Sequence, residues 1–221
     1  MAEAPEPPFP VAIARDSYRA ATEDRGSVRV SGNRVLIAVA DGVGGMSGGA
    51  AAAELAVLRI MAHGLSPDPA ALVSLLREAD RRVYEEPDAG ETTVVAAVVT
   101  PHEIAGASVG DSEAWLVTDR GRVDLTGNQR FVPTLGSAGA VPIPFVHRGP
   151  GGTLLVATDG LFGYAPAEKI CAAARGEDLD AAARALVDLA RLPNGTLQDD
   201  ITVVLCRWRP SPDAAGGPGG E

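Results

Sequence analysis

Runs of nearly unbroken Val, Leu, Ile and Ala recur along this chain, and three of them abut aspartates. RVLIAVA (Arg34–Ala40) stops at Asp41-Gly42 and TLLVAT (Thr153–Thr158) at Asp159-Gly160, while ITVVLCRW (Ile201–Trp208) begins directly after Asp199-Asp200. Such short apolar runs lack the polar alternation of a strand with one wet face, so they predict strands covered on both sides. Thr92–Val99, Glu103–Val109 and Glu113–Thr118 extend the set. The tight spacings at Pro101-His102 and Gly110-Asp111-Ser112 predict antiparallel neighbours.

Helical spacing appears elsewhere. Asp68 is placed to cap a helix with Pro69 in its first turn, and Leu72, Leu76, Ala79 and Val83 form one apolar face. Ala50–Ala62 and Asp180–Leu192 are alanine-rich segments with leucines at core spacing. Helices grouped between runs of strands, rather than alternating with them, predict an α+β fold: two antiparallel sheets with helices outside.

With 221 residues, 46% of them apolar, the chain can bury one full core. That core is expected over residues 11–209. Residues 1–10 and 210–221, rich in Pro, Gly and small side chains, read as disordered tails. The net charge is −10 and Lys169 is the sole lysine, which excludes a nucleic-acid surface. No basic start precedes an apolar run, and no apolar stretch has the roughly 20 residues of a membrane helix. A cytoplasmic monomer away from membranes is the expectation. Cys171 and Cys206 form no Cys-x-x-Cys pair and read as buried apolar side chains.

The chemistry is expected at the strand-end acids. A carboxylate at the end of a rigid strand, with a glycine beside it, offers oxygen ligands to a hard cation such as Mg²⁺ or Mn²⁺. Each Asp-Gly alone is an ordinary turn signal. Asp41, Asp111, Asp159 and Asp199 together, with Glu23-Asp24 earlier, would repel one another unless a cation neutralised them. The glycine-rich DGVGGMSGG is not a dinucleotide loop, because Ser47 stands where the last glycine belongs, and no Gly-Lys-Ser/Thr follows. His63, His102 and His147, the last two in loop-like stretches, have no neighbouring Ser, Cys or acid that forms a dyad. A protein nucleophile is therefore not expected.

In order, Arg19-x-x-x-Glu23-Asp24, DGVGG (Asp41–Gly45), GETT (Gly90–Thr93), VGDS (Val109–Ser112), ATDGL (Ala157–Leu161) and DDITVV (Asp199–Val204) resemble the type 2C, metal-dependent protein serine/threonine phosphatases, in a compact bacterial form. The likeness spans Arg19 to Trp208. It implies a four-layer sandwich, two antiparallel β-sheets flanked by helix pairs, and hydrolysis of phosphoserine and phosphothreonine on proteins with two Mg²⁺ or Mn²⁺ ions.

By the same likeness, Asp41 bridges the two ions, with the Gly42 carbonyl on one of them. Asp159 and Asp199 bind the other ion, Glu23 and Asp24 hold coordinated waters, and Asp111 serves a weaker third ion. Arg19 takes the substrate phosphate; the plainer reading makes it a surface ion-pair partner of Asp16 or Glu23. Val43 stands where many members have a histidine, the stretch from Asp111 to Asp159 is short with a loop-like Gly136–Pro144, and Glu91 and Asp200 depart from the usual glycine and asparagine. Asp200 reads as a turn residue. Two alternatives stay open: a catalytically weak form used as a regulatory binding module, and a phosphatase of small metabolites.

Overall fold

The computed structural model describes residues 9–44, 48–129, 132–149 and 151–209. Most of both expected tails, and Gly45 of the DGVGG motif, lie outside the described residues. Phe9 and Pro10 correct the N-terminal boundary, because they belong to the fold. Phe9 is 2% exposed in the core between the sheets, and the Pro10 carbonyl accepts from Arg207 N at 2.9 Å.

The chain runs β1 (Val11–Asp16), β2 (Arg25–Ser31), β3 (Arg34–Ala40), α1 (Gly49–Ala62), α2 (Pro69–Tyr84), β4 (Val94–Val99), β5 (Ile104–Val109), β6 (Glu113–Thr118), β7 (Gly121–Asp124), β8 (Ile143–His147), β9 (Gly152–Ala157), α3 (Asp159–Phe162), α4 (Ala167–Ala174), α5 (Leu179–Leu189) and β10 (Ile201–Trp208). Two five-stranded sheets form, in the orders β1-β10-β9-β6-β7 and β2-β3-β4-β5-β8, and every pairing is antiparallel.

Alternation along each inner strand builds three core layers. Val35, Ile37 and Val39 of β3 point between the sheets, where they meet Leu154, Val156 and Val204. Leu36, Ala38 and Ala40 point the other way, onto Ala52, Ala56, Leu72 and Leu76 of α1 and α2. On the second sheet Leu155, Ala157, Val203 and Leu205 meet Ala183, Leu186 and Val187 of α5. The four-layer α+β sandwich is thus assembled as expected, and the unbroken apolar runs reflect burial on both faces.

The six expected strands are the six inner ones, with ends shifted by up to two residues. β1, β2, β7 and β8 are the sheet edges, half-buried or exposed along much of their length. Glu23-Asp24 therefore follows β1 rather than preceding every strand. His147 ends β8 instead of standing in a loop, and its ring meets Trp208 edge-on at 5.6 Å. Asp68 caps α2 by accepting from Ala70 N at 3.0 Å. The last helix begins earlier than expected, because Asp178, not Asp180, accepts from the free Ala181 N at 3.0 Å. Both cysteines are buried and free.

Antiparallel pairing fixes where the acids meet. With Arg25 opposite Ala40, Val94 opposite Val109 and Val203 opposite Ala157, one rim of the sandwich collects the ends of β3, β5 and β9 and the starts of β2, β4 and β10. Asp24, Asp41, Asp111, Asp159 and Asp199 are each within two residues of that rim.

Candidate active site

Asp41 is the most tightly held acid of this rim. Its carbonyl accepts from Thr93 N at 2.8 Å and Thr92 Oγ1 at 2.7 Å, and its N–H donates to Thr93 Oγ1 at 3.2 Å. Thr93 Oγ1 in turn lies 2.7 Å from Ser112 Oγ. The two threonines of GETT and the serine of VGDS therefore fix the Asp41 backbone, a function their sequence position gave no means of reading. Gly42 follows because nothing larger fits: a Cβ there would lie 2.4 Å from Gly49 C and 2.5 Å from its carbonyl oxygen, at the start of α1.

Arg19, Glu23, Asp41, Gly42, Asp111, Asp159 and Asp199 all line one cavity of about 480 Å³. Asp24 does not. It is fully buried, with Thr158 Oγ1 donating to its Oδ2 at 2.8 Å. The Asp41 carboxyl lies against both Asp24 and Asp159. Asp24 Oδ1 and Asp159 Oδ1 are buried and make no hydrogen bond of regular geometry with the described residues.

Electrostatics follow from this crowding. Burial first, then the charges of Asp24 and Asp159, hold the Asp41 carboxyl far above the usual carboxylate range. Burial raises Asp24 as well, against the hydrogen bond from Thr158. Asp111 and Asp199 are raised by burial, with Asp159 adding repulsion to both.

Among the described residues no three acid, imidazole or thiol groups already converge on one ion-sized point. The acids meet as a crowded, mutually repelling cluster instead. Oxygen-only donors, two orphaned buried carboxylate oxygens and mutual repulsion are nevertheless what a hard divalent cation relieves, so the residues fit such an ion.

Asp200 differs from its expected part as a turn residue. It is 5% exposed, and its Oδ1 accepts from Ser17 Oγ at 2.7 Å and Tyr18 N at 3.2 Å, while Oδ2 accepts from Glu23 N at 2.7 Å. One buried carboxylate thus folds the segment from Ser17 to Glu23 over the cavity. Arg19 sits on that segment, exposed, its guanidinium 4.6 Å from the Tyr18 ring centre. The expected surface pairing does not form: Asp16 pairs with Arg191, and Arg19 is in no ion pair among the described residues. Tyr18, Val132 and Thr134 also line the cavity and carried no signal in the sequence.

Asp159 opens α3, and Gly160 behind it passes against the last strand. A Cβ on Gly160 would lie 2.0 Å from the Asp200 carbonyl oxygen. Backbone cannot yield as a flexible side chain can, so Gly160→Ala is expected to lower stability by about 2–3 kcal/mol. Urea unfolding measures this, and an unchanged midpoint would contradict the contact.

The model of the family Stage II sporulation protein E (SpoIIE) matches residues 31–209, most of the chain. The serine/threonine protein phosphatase PstP of Mycobacterium tuberculosis is 28% identical over 84% of this chain; the chain spans 44% of that relative's length. Among solved structures, the phosphatase Stp1 of Staphylococcus aureus superposes with a TM-score of 0.78 at 20% identity, over 91% of this chain and 95% of that one. The PPM Ser-Thr phosphatase MsPP of Mycobacterium smegmatis, solved with cacodylate, gives 0.71 at 26%, over 90% and 98%. The family match over most of the chain and the shared fold place the chain plainly: it belongs to the Stage II sporulation protein E (SpoIIE) family.

Proposed function

We propose that this chain hydrolyses phosphoserine and phosphothreonine esters on proteins, using two Mg²⁺ or Mn²⁺ ions and a weaker third. The observation that carries the reading is the convergence of Asp41, Asp159, Asp199 and Asp111 on one cavity, over two orphaned carboxylate oxygens. Asp41, the Gly42 carbonyl, Asp159 and Asp199 would hold the two ions. Glu23 and Asp24 would anchor coordinated water, with Asp24 acting from behind Asp41, and Asp111 would serve the third ion.

Bound ions of this kind supply Lewis acidity, which makes water nucleophilic at neutral pH and offsets phosphoryl charge. The protein's own contribution is placement. Arg19, in no ion pair among the described residues and lining the cavity, offers a planar fork of donors to the phosphoryl oxygens. The threonine clamp on Asp41 holds the acids still while charge moves, so little reorganisation accompanies the reaction. Val43 follows Gly42 and no histidine lines the cavity among the described residues, so the departing alkoxide takes its proton from water.

The same reading makes the domain a monomer working in the cytoplasm on phosphorylated proteins, without nucleic acid or membrane. Among the described residues no helix is long and apolar enough to cross a membrane.

The test is turnover of a phosphothreonine peptide and of p-nitrophenyl phosphate with Mn²⁺. Both are expected to be cleaved, and cleavage to stop on exhaustive EDTA treatment and return with added Mn²⁺. Activity that survived EDTA would sink the mechanism. Cleavage of the small ester but of no phosphoprotein would favour a metabolite phosphatase. Wild type as inactive as Asp159→Asn across metals would favour a binding module.

A further inference from the structure

A second cavity, of about 340 Å³, opens at the opposite rim of the same sheet, and Arg175, Arg207 and Arg209 line it. It holds Gly152 at the start of β9 and Trp208 at the end of β10, whereas Asp159 and Asp199 flank the other ends of these strands. Six residues of strand separate the two cavities by roughly 20 Å. They are distinct sites.

Two of the three guanidiniums are held in place by neutral groups, and Arg209 is exposed beside them. Arg175 Nε donates to the Thr118 carbonyl at 2.8 Å. Arg207 Nη1 donates to Thr153 Oγ1 at 2.6 Å, and its Nη2 to the Gly176 carbonyl. None of the three takes part in an ion pair among the described residues, although other arginines form several. Asp119 is the one acid lining the cavity among the described residues, and Glu177 acts on Arg207 from nearby.

In a chain with net charge −10, three arginines that converge beside Asp119, yet form no ion pair with it among the described residues, need a physical reason. Like charges brought together repel, and burial and the neighbouring Arg209 both disfavour the charged form of Arg207. An oxyanion placed among them removes that repulsion and meets donors of which two, Arg175 and Arg207, are already aimed by their hydrogen bonds. Gly151 on the same wall carries no side chain to block close approach.

We propose that this second cavity binds a phosphoryl group, through Arg175, Arg207 and Arg209, at a site separate from the catalytic one. Phosphate suits it better than a carboxylate. Its oxygens can engage several guanidinium forks at once, while a carboxylate is used up by one. The phosphoryl group can belong to free phosphate or to a phosphorylated side chain, and the same contacts serve both.

Calorimetric titration of the whole chain in EDTA tests this, because without cations the acidic catalytic cavity repels phosphate and no ester is cleaved. The probes are inorganic phosphate, pyrophosphate, and a phosphoserine peptide beside its unphosphorylated twin. Saturable millimolar or tighter binding of at least one phosphorylated probe is expected, with amide shifts at Gly151 and Gly152 in parallel nuclear magnetic resonance spectra. Arg175→Ala and Arg209→Ala should each weaken it about tenfold, as loss of one charge-assisted contact does, while Arg19→Ala leaves it unchanged. Tighter binding of the phosphopeptide than of the free anions assigns the source to a protein, and the reverse order assigns it to free phosphate. Absence of saturable binding by every probe, binding indifferent to both arginine variants, or binding lost in Arg19→Ala would overturn the proposal.

Discussion

Asp41→Asn is expected to lower phosphatase turnover about a thousandfold or more, and at the same time to raise the melting temperature of the metal-free protein by about 3 °C or more. The two effects have one origin. Asp41 is surrounded by the carboxyls of Asp24 and Asp159, and burial with their repulsion raises its proton affinity in the folded chain. A group whose folded pKa lies above its unfolded value stabilises the fold in acid and stops doing so as pH rises through the window between the two. The metal-free wild type should therefore lose stability steadily from about pH 4 towards neutrality and beyond. Asparagine has nearly the same shape and carries no charge, so its curve should be flatter and lie above the wild type at neutral pH. Excess Mn²⁺ should reverse the order, stabilising the wild type more than the variant. Calorimetric melting over a pH series, with and without Mn²⁺, reads all of this. If the variant lost activity with Mn²⁺ and also melted below the wild type in EDTA, Asp41 would be a structural residue and not a charge kept for a cation.

What the sequence disclosed and what it hid divide along a physical line. The inner strands β3, β4, β5, β6, β9 and β10 are covered on both faces, so each reads as a nearly unbroken apolar run. Edge strands need no such run. β8 even contains Pro144, which an edge tolerates because its missing N–H can face outward. β7 has four residues, and α3 also has four, too short for a periodic pattern. At the site, acids abutting apolar runs announced themselves because that placement brings charge to a rigid rim. Their supports did not. Thr92, Thr93, Ser112, Thr158 and Asp200 act through hydrogen bonds to residues 19 to 183 positions away, and short polar side chains in turns are too common to point at such partners. Asp24 was legible as an acid of the cluster, but its place behind Asp41, away from the cavity, became visible only in the fold.

Asp200→Ala is expected to cut kcat/KM for a phosphopeptide about a hundredfold, mostly through KM, although Asp200 needs no contact with substrate to do so. Its carboxylate is the common acceptor for Ser17 Oγ and the N–H groups of Tyr18 and Glu23, so its removal strands three donors that hold the Arg19 segment over the cavity. Leaving such groups unsatisfied should also lower stability by about 2–4 kcal/mol. Asp200→Asn separates geometry from charge. Its single amide oxygen can keep Ser17 and Tyr18, while its NH₂ faces the Glu23 N–H donor, so an intermediate KM is expected. A stability loss alone would show only that Asp200 is structural, and a double-mutant cycle with Arg19→Ala decides the matter. If Asp200 works by positioning Arg19, the double variant should bind substrate little worse than Arg19→Ala alone, since the loop then has no phosphate contact left to misplace. Fully additive losses in KM would mean that Asp200 and Arg19 act independently, and the segment from Ser17 to Glu23 would have to be read as scaffold rather than as the arm that presents the arginine.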